Sequence, residues 1–322
     1  SRFADPHYNF DVGIDQLDVD RYLPPKSKTA QPEPENPIDL SALKSIHATG
    51  SLRIGTLKVA NLKSSNVRLD IKSDGKSVSV SPLSANLYQG AMRGTLSTSA
   101  SASPQLSLQQ QLTGISIGPL LKDLADKDLL EGRGNVALNV KTQGATVSAM
   151  KKNLNGSANV ALQDGAIKGI NIASSLRKAQ AQLGMAGKDA TQAASSSEKT
   201  DFSELKASFT INQGVAHNAD LDAKSPLLRL GGKGDINVGA GSMDYLAHAT
   251  VVGTLEGQGG REMAQLKGIP VPVRIHGPFD ALKYKLDVDV LLKGAAKAKL
   301  EEKKQELQGK AGKKLLKGLF GR

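Results

Sequence analysis

Histidine is the first residue type to inspect for chemistry, because two histidines at helix or strand spacing can bind zinc or transfer protons. The chain has five histidines, and no two of them stand at the His-x-x-x-His spacing of a zinc site. They are His7, His47, His217, His248 and His276. Cysteine is absent, which excludes disulfides, cysteine-bound zinc and thiol nucleophiles. The sequence therefore predicts no metal and no cofactor.

Two pairs of aspartates, Asp18 with Asp20 and Asp287 with Asp289, resemble the paired carboxylates of general acid–base catalysis. Residues two apart on a strand share one face, so solvated strand faces or turns explain both pairs better. The Gly-Lys-Gly segment at 232–234 lacks the third glycine of a dinucleotide-binding loop. The chain contains no Walker A loop and no Gly-x-Ser-x-Gly elbow. We therefore predict a protein that is not an enzyme.

The composition indicates what kind of core must position the side chains. Hydrophobic residues make up 39% of the 322 residues, aromatic residues only 3%, and tryptophan is absent. Large aromatic side chains usually dominate compact cores. A core made of Leu, Ile, Val and Ala, with 33 glycines in the chain, favours a long and repetitive structure over a tight globule.

The charge is concentrated at one end of the chain. Residues 293–322 contain ten Lys and Arg against three Glu, a net +7, so the rest carries only +4 of the total +11. A basic body with interleaved aromatic residues would indicate nucleic acid as a partner. Neither feature is present, and we predict no nucleic-acid binding.

The first part of the chain reads as a strand region followed by a linker. Residues 1–23 form the strand region, which ends where Pro24 and Pro25 follow, because proline cannot donate to a strand ladder. Asp20 is expected to pair with Arg21 or to cap a turn. Residues 24–37 are rich in proline and are predicted to be a linker or exposed loop. The chain starts without Met, which suggests a fragment or a processed form, and no apolar run approaches the roughly 18 residues that span a bilayer.

Residues 38–290 alternate apolar and polar side chains, which predicts one apolar and one wet face of an antiparallel sheet. The Asp-Gly step within 73–76 predicts a hairpin turn. Helical spacing predicts short helices near 117–130 and 170–183, and small polar residues predict a loop over 184–200. Residues 291–322 are predicted to be a basic amphipathic helix. The fold class is therefore mainly β, a long twisted antiparallel sheet with two short helices and a C-terminal basic helix.

A short pattern occurs three times, at 130–138, 154–162 and 230–238, with the form Leu-x-Gly-x-small-Asn/Asp-Val/Ile-x-Leu/Val. The glycines of an internal repeat are expected to permit tight strand entry or a bulge. Chance similarity among glycine-rich strands is the alternative.

Four segments resemble the AsmA family in its expected order. Residues 17–25 read Leu-Asp-Val-Asp-Arg-Tyr-Leu-Pro-Pro, similar to the segment that precedes the family's C-terminal domain. Residues 155–172 resemble a stretch that runs into a helix, and residues 211–234 and 269–278 resemble the next and the closing blocks.

This resemblance implies a periplasmic protein of Gram-negative bacteria, anchored in the inner membrane by an N-terminal helix that this sequence lacks. It also implies β-sheets that curl into an elongated, taco-like groove with an apolar interior. Family members are implicated in moving phospholipid toward the outer membrane and in outer-membrane homeostasis. The implied partners are phospholipid and a membrane surface or other envelope proteins.

The apolar residues of the alternating strands are the candidates for lining such a groove. An ordinary sandwich core uses the same alternation, so core and groove both remain open at this point. The candidates are Val67, Leu69, Ile71, Leu106, Leu108, Val136, Leu138, Val160, Leu162, Phe209, Ile211, Ile236 and Val273.

The basic tail carries the candidates for contact with a membrane surface, since a basic amphipathic helix favours anionic lipid. A solvated helix end or a disordered tail is the alternative. The candidates are Lys313, Lys314, Leu315, Leu316, Lys317, Leu319 and Phe320.

Three functions are consistent with these patterns. The leading hypothesis is a lipid-binding segment of an inner-membrane-anchored protein that moves phospholipid toward the outer membrane. The second is a scaffold or chaperone-like factor in outer-membrane protein assembly that acts through protein contacts. The third is a structural β-solenoid without cargo. A lipid groove requires a continuous apolar strip, whereas a scaffold requires an exposed sheet edge.

Overall fold

The computed structural model describes residues 6–22, 35–181, 190–252 and 267–287. These residues are mainly β, and fifteen strands form one sheet. The strands are β1 His7–Asp18, β2 His47–Val59, β3 Leu62–Asp74, β4 Ser77–Leu87, β5 Gly90–Ser99, β6 Gln105–Ser116, β7 Arg133–Gln143, β8 Asn155–Gly169, β9 Ala190–Ala193, β10 Ser195–Asn212, β11 Val215–Lys224, β12 Leu228–Asn237, β13 Ser242–Val251, β14 Pro270–Pro278 and β15 Lys283–Leu286. The α-helices are α1 Ile117–Ala125, α2 Val147–Lys152 and α3 Ile172–Ala181.

The strand order follows the sequence with one exception: β10 lies beside β8, and β9 pairs with β15 at the far edge. The described strands pair antiparallel except β1 with β2, which are parallel. The prediction of a mainly β fold with an antiparallel sheet is therefore confirmed, except at the first pair of strands. A hairpin forces neighbouring strands to run antiparallel, whereas the long connection from Asp18 to His47 permits a parallel crossover.

The turn chemistry of the antiparallel part is local and was predictable. Asp74 accepts hydrogen bonds from the backbone N–H groups of Lys76 (2.9 Å) and Ser77 (2.7 Å), which confirms the predicted turn. The turn between β2 and β3 contains Ala60 and Asn61, both with positive φ, as in the two-residue turns that match strand twist.

The helices differ in part from their predicted bounds. Helix α1 ends at Ala125, short of the predicted 130, because Asp126 adopts the left-handed conformation (φ 53°) that terminates helices. Helix α3 lies within the predicted 170–183. Helix α2 was not predicted, since six residues are too few to display helical periodicity. The Thr146 side chain caps it by accepting a hydrogen bond from the Ala149 N–H.

The predicted loop over 184–200 was wrong from residue 190 onward, and 184–189 lie outside the described residues. Residues 190–193 form β9, and β10 begins at Ser195. Pairing with β15 and with the end of β8 orders this Ala- and Ser-rich stretch, whose intrinsic preference for a strand is weak.

Other predictions meet the structure only in part. The first strand ends at Asp18, and a 3₁₀ helix at Val19–Tyr22 replaces its predicted last residues. Of the linker, 24–34 lie outside the described residues, and Glu35 accepts hydrogen bonds from Ser148 at the start of α2. Residues 291–322, with all the membrane-surface candidates, also lie outside them.

The glycines of the repeated pattern serve close approach between strands. Gly132 and Gly156 have positive φ values of 134° and 141°. A β-carbon on Gly232 would lie 2.7 Å from Cε1 of Tyr245, and one on Gly234 would lie 2.8 Å from Cδ2 of the same ring. The third copy of the pattern therefore makes room for a buried tyrosine of the next strand.

The sheet curls without closing into a barrel. Its late strands return toward β8, since a β-carbon on Gly169 at the end of β8 would lie 2.8 Å from Tyr284 Oη in β15. The largest cluster of buried apolar residues fills this curl and includes Ile172 and Leu176 of α3. Two smaller clusters lie around Val67 and around Ile211.

Candidate functional site

A continuous apolar row crosses the sheet from β3 to β13. Residues directly opposite each other on paired strands share one face of the sheet, so the register places this row on a single face. We call this row and its same-face neighbours the apolar strip. Its members in spatial order are Ile71, Val80, Leu96, Leu108, Val140, Gly156, Ile211, Ala216, Ile236 and Met243.

Two further rows widen the strip on the same face. The row through Leu69 continues through Leu83, Gly94, Gln110, Leu138, Ala158 and Phe209. The row through Ala85 continues through Met92, Leu112, Val136, Val160 and Ala207.

All the groove candidates chosen from the sequence lie on this face. Each belongs to one of these rows or stands at even spacing from a member on its strand, except Val273, which pairs with Ala247 of β13 at even spacing from Met243. Their burial differs. Val67, Leu162, Ile211 and Val273 are buried, with 0–7% of their surface exposed. The remaining candidates are half-buried. The face thus serves as core in some strands and is partly open in others.

Exposure of the apolar face falls along the sheet. At β1, Tyr8 is 56% and Val12 39% exposed. At β13 and β14, Ala249 and Val271 are 0% exposed. The late strands curl around α3, whereas no helix of the described part covers the early strands in the same way. The apolar face is therefore most open at β1, and half-buried members of the strip continue from Leu69 of β3 to Ile236 of β12.

The opposite face is polar. One of its rows runs Ser79, Ser97, Ser107, Lys141 and Asn155, and another contains Gln109, Asn139 and Ser157. A cavity of about 1110 Å³ near the ends of β5–β7 is lined largely by such side chains, including Ser97, Gln105 and Lys141. Its polar lining makes it a poor site for an apolar ligand.

Gln110 interrupts the strip at its centre. Only 6% of this residue is exposed, and its carboxamide lies over Gly94, where a β-carbon would come within 2.7 Å of Oε1. Nε2 donates to the Thr95 carbonyl at 3.2 Å. Oε1 has no hydrogen-bond partner, and neither has the buried Oγ1 of Thr98 on the neighbouring strand. These two buried oxygen atoms, which lack hydrogen-bond partners, lie on the apolar face where β5 pairs with β6.

Sequence reasoning missed several members of the strip. Leu96 and Met92 of β5 and Leu112 of β6 were not among the candidates, although they join the early and late halves of the face. The alternation at 92, 94, 96 and 98 was the available signal, but Gly94 and Thr98 weaken it.

Asp20 has a structural role. Its carboxylate accepts hydrogen bonds from the N–H groups of Asn61 (3.0 Å) and Ala60 (2.6 Å), which confirms the turn-capping alternative. The Asn61 hydrogen bond is the largest cause that holds the pKa of Asp20 below its ordinary value, and Lys58, 3.4 Å away, acts in the same direction. A carboxylate held ionised in a turn is not poised for proton transfer. Asp18 pairs with Arg21 at 3.5 Å.

Tyr88 joins the β4–β5 turn to α1 through a hydrogen bond from its hydroxyl to Asp123, at 2.9 Å. Burial and this bond to a carboxylate raise the pKa of Tyr88 to about 12.

The described residues contain no group of three His, Asp or Glu side chains that could hold a metal ion. Within the same part of the chain, no helix has the length and apolar character needed to cross a membrane.

Comparison with known proteins identifies the family. The sequence model of the AsmA family matches residues 2–221. The chain belongs to the AsmA family. Membership indicates a bacterial envelope protein of the AsmA and TamB type, and this family is not known as one of enzymes.

One relative gives the scale of the match. Protein AsmA of Escherichia coli (strain K12) is 29% identical over 236 residues, which cover 71% of this chain and 37% of that protein. The chain thus spans little more than a third of the length of this relative. No solved structure matches the chain significantly. The strands from β1 to β10, which carry most of the apolar strip, fall within the residues that the family model matches.

Proposed function

We propose that this chain is a non-enzymatic, lipid-binding segment of a periplasmic protein that is anchored in the inner membrane and moves phospholipid toward the outer membrane. The observation that carries the proposal is the central row of the apolar strip, which is unbroken in register from Ile71 to Met243 and half-buried from β3 to β6. Contiguous exposed apolar surface of more than a few hundred Å² usually marks a binding surface.

The energetics favour lipid as the occupant. Each CH₂ group taken out of water contributes about 0.8 kcal/mol, so a two-tailed phospholipid with roughly thirty methylenes costs on the order of 20 kcal/mol to hold bare in water. A strip of Leu, Ile and Val side chains removes most of that cost. Because such contacts are not directional, they hold acyl chains without fixing one position, and this is what passage along a surface requires.

The direct test is native mass spectrometry of the chain, purified without detergent from a Gram-negative host, followed by lipid extraction. Phospholipid near stoichiometric amounts supports the proposal. A folded protein without lipid would contradict binding by this segment.

The basic tail is proposed to contact anionic head groups through Lys313, Lys314 and Lys317, with Leu315, Leu316, Leu319 and Phe320 at the apolar boundary. Each basic residue near an anionic surface adds about 1 kcal/mol. Flotation with anionic vesicles tests this, and equal binding after removal of 310–322 would refute it.

One observation favours the second candidate function, a scaffold that acts through protein contacts. Among the strands that the structure describes, β1 pairs only with β2, so none of them covers its other edge along His7–Asp18. It lacks the lysine and proline that commonly protect edge strands. An extended segment of an envelope protein could add to this edge. A β1 variant with Gly13→Pro, on the opposite face from the strip, would then lose the partner but retain lipid.

A further inference from the structure

Helix α3 lies on the same apolar face as the strip. Ile172 is 3% and Leu176 0% exposed, and both belong to the cluster that contains Leu162 of β8 and Val271 of β14. The register from Leu162 through Leu205, Ala223, Leu230 and Ala249 to Val271 places that row on the face of the strip. The helix therefore covers the apolar face where the curl of the sheet is tightest.

The change in burial coincides with the helix. Val136 and Val160 are half-buried and pack against the largest apolar cluster. Leu162, two residues after Val160 in β8, belongs to that cluster and is 0% exposed. An acyl chain that lies along the open strip would reach α3 at this point. We propose that α3 is an internal stopper of the strip, which occupies the place of acyl chains at this end and moves aside when lipid occupies the face. This inference rests on the proposed lipid binding and names a regulation of that same site.

The start of α3 is held by hydrogen bonds to β10. Its first turn is fixed by polar contacts, since Thr200 Oγ1 accepts from the Ile172 N–H at 3.0 Å and donates to the Ile170 carbonyl at 2.8 Å. Glu198 accepts from the Asn171 N–H at 3.1 Å. This buried end suits a hinge, because its hydrogen bonds do not depend on the apolar contacts further along.

The described side chains of α3 make few apolar contacts. Over the residues 172–178, the large aliphatic side chains are Ile172 and Leu176, and the others are Ala, Ser, Arg and Lys. Two aliphatic side chains bury far fewer methylenes than one acyl chain of a phospholipid. Since the hydrophobic gain grows with the apolar area buried, an acyl chain can replace the helix on this face.

The absence of cysteine from the chain permits a clean accessibility test. A single Leu176→Cys variant places one thiol on the buried side of α3. Leu162→Cys is the matched control, because Leu162 has the same residue type, the same 0% exposure and the same cluster but lies on the sheet. Thiol labelling is followed with and without vesicles of phosphatidylethanolamine and phosphatidylglycerol, and bound lipid is quantified in the same samples.

The stopper predicts that lipid raises the labelling rate of Leu176→Cys by about tenfold or more, since labelling follows the population in which the helix is displaced. Leu162→Cys is expected to stay protected, because the acyl chain that displaces the helix then covers this position on the sheet. Equal protection of both thiols with lipid bound would overturn the stopper while leaving the proposed function intact. Absence of bound lipid would overturn the proposed function and the stopper together.

Amide hydrogen exchange of the unmodified chain provides a second measurement that does not depend on either variant folding. Lipid should reduce protection in α3 and leave β13 protected. Unchanged protection of α3 in the lipid-bound protein would refute the stopper independently.

Discussion

Ser107 and Leu108 are consecutive in β6 and face opposite sides of the sheet: Ser107 lies between Ser97 and Lys141, and Leu108 between Leu96 and Val140. Both are half-buried, so they differ in chemical surroundings more than in accessibility. A charged residue substituted at each of the two positions in turn therefore separates the effect of a charge on the apolar face from the effect of a charge elsewhere in β6.

We expect Leu108→Glu to reduce co-purified phospholipid by at least roughly tenfold, because a carboxylate on the strip must be desolvated when acyl chains cover it. Ser107→Glu should retain the lipid content of the original chain. Lipid extraction with quantitative mass spectrometry is the readout, and circular dichroism checks that both variants are folded. Equal lipid loss in the two variants would argue against the strip.

The buried pair of Asn218 and Tyr245 is predicted to contribute to stability. The Tyr245 hydroxyl donates to Asn218 Oδ1, and Asn218 Nδ2 donates to the Ser208 carbonyl at 2.8 Å. Asn218 is 1% exposed, so Tyr245→Phe leaves a buried acceptor without its donor. The expected loss in the free energy of unfolding is about 1–3 kcal/mol. Urea unfolding measures it, and a double-mutant cycle with Asn218→Ala should show coupling. Additive effects would mean that the pair does not interact.

Neighbouring glycines of β12 should differ sharply in their tolerance of a methyl group. A β-carbon on Gly232 would lie 2.7 Å from the Tyr245 ring, whereas one on Gly231 would approach nothing closer than the Leu221 carbonyl oxygen at 3.7 Å. We expect Gly232→Ala to destabilise the protein by about 1–3 kcal/mol through overpacking. Gly231→Ala should unfold at the same urea concentration as the original chain. Similar midpoints for both variants would contradict this account of the repeat.

The turn cap formed by Asp20 predicts a specific pH dependence. Since hydrogen bonds from Asn61 and Ala60 lower the pKa of Asp20 in the folded state, its contribution is present at neutral pH. That contribution is lost as the pH falls below about 4, the usual aspartate pKa, and through the lower folded value. Asp20→Asn should therefore be less stable than the original chain near neutral pH, and the difference should shrink in acid. A difference independent of pH would show that the charge of Asp20 is irrelevant.

Much of the sheet was predictable because its signals are local. The alternation around Val136 and Leu138 gives both the strand and the face, and the Asp74-Gly75 step gives the turn. The direction of β1 was not predictable, because it depends on how a long connection crosses the sheet. The short strand β9 has no periodicity of its own and exists through its pairing with β15.

The division of the apolar face into open and sealed parts was also beyond the sequence. Leu108 and Leu162 stand in the same kind of alternating pattern, yet Leu108 is half-buried and Leu162 is 0% exposed. The difference arises from the curl of the late strands and from α3, which are contacts between segments distant in sequence. Periodicity identifies the face that is apolar but not what covers it.

Site-specific photocrosslinking in Gram-negative cells tests the central claim most directly. A photoreactive residue is placed at Ile71 or Leu138 on the strip, and at their neighbours Lys72 or Asn139 on the opposite face. Lipid binding along the strip predicts phospholipid adducts at Ile71 and Leu138 and none at the two controls. Adducts of equal yield on both faces, or none at any of the four positions in the folded protein, would contradict it.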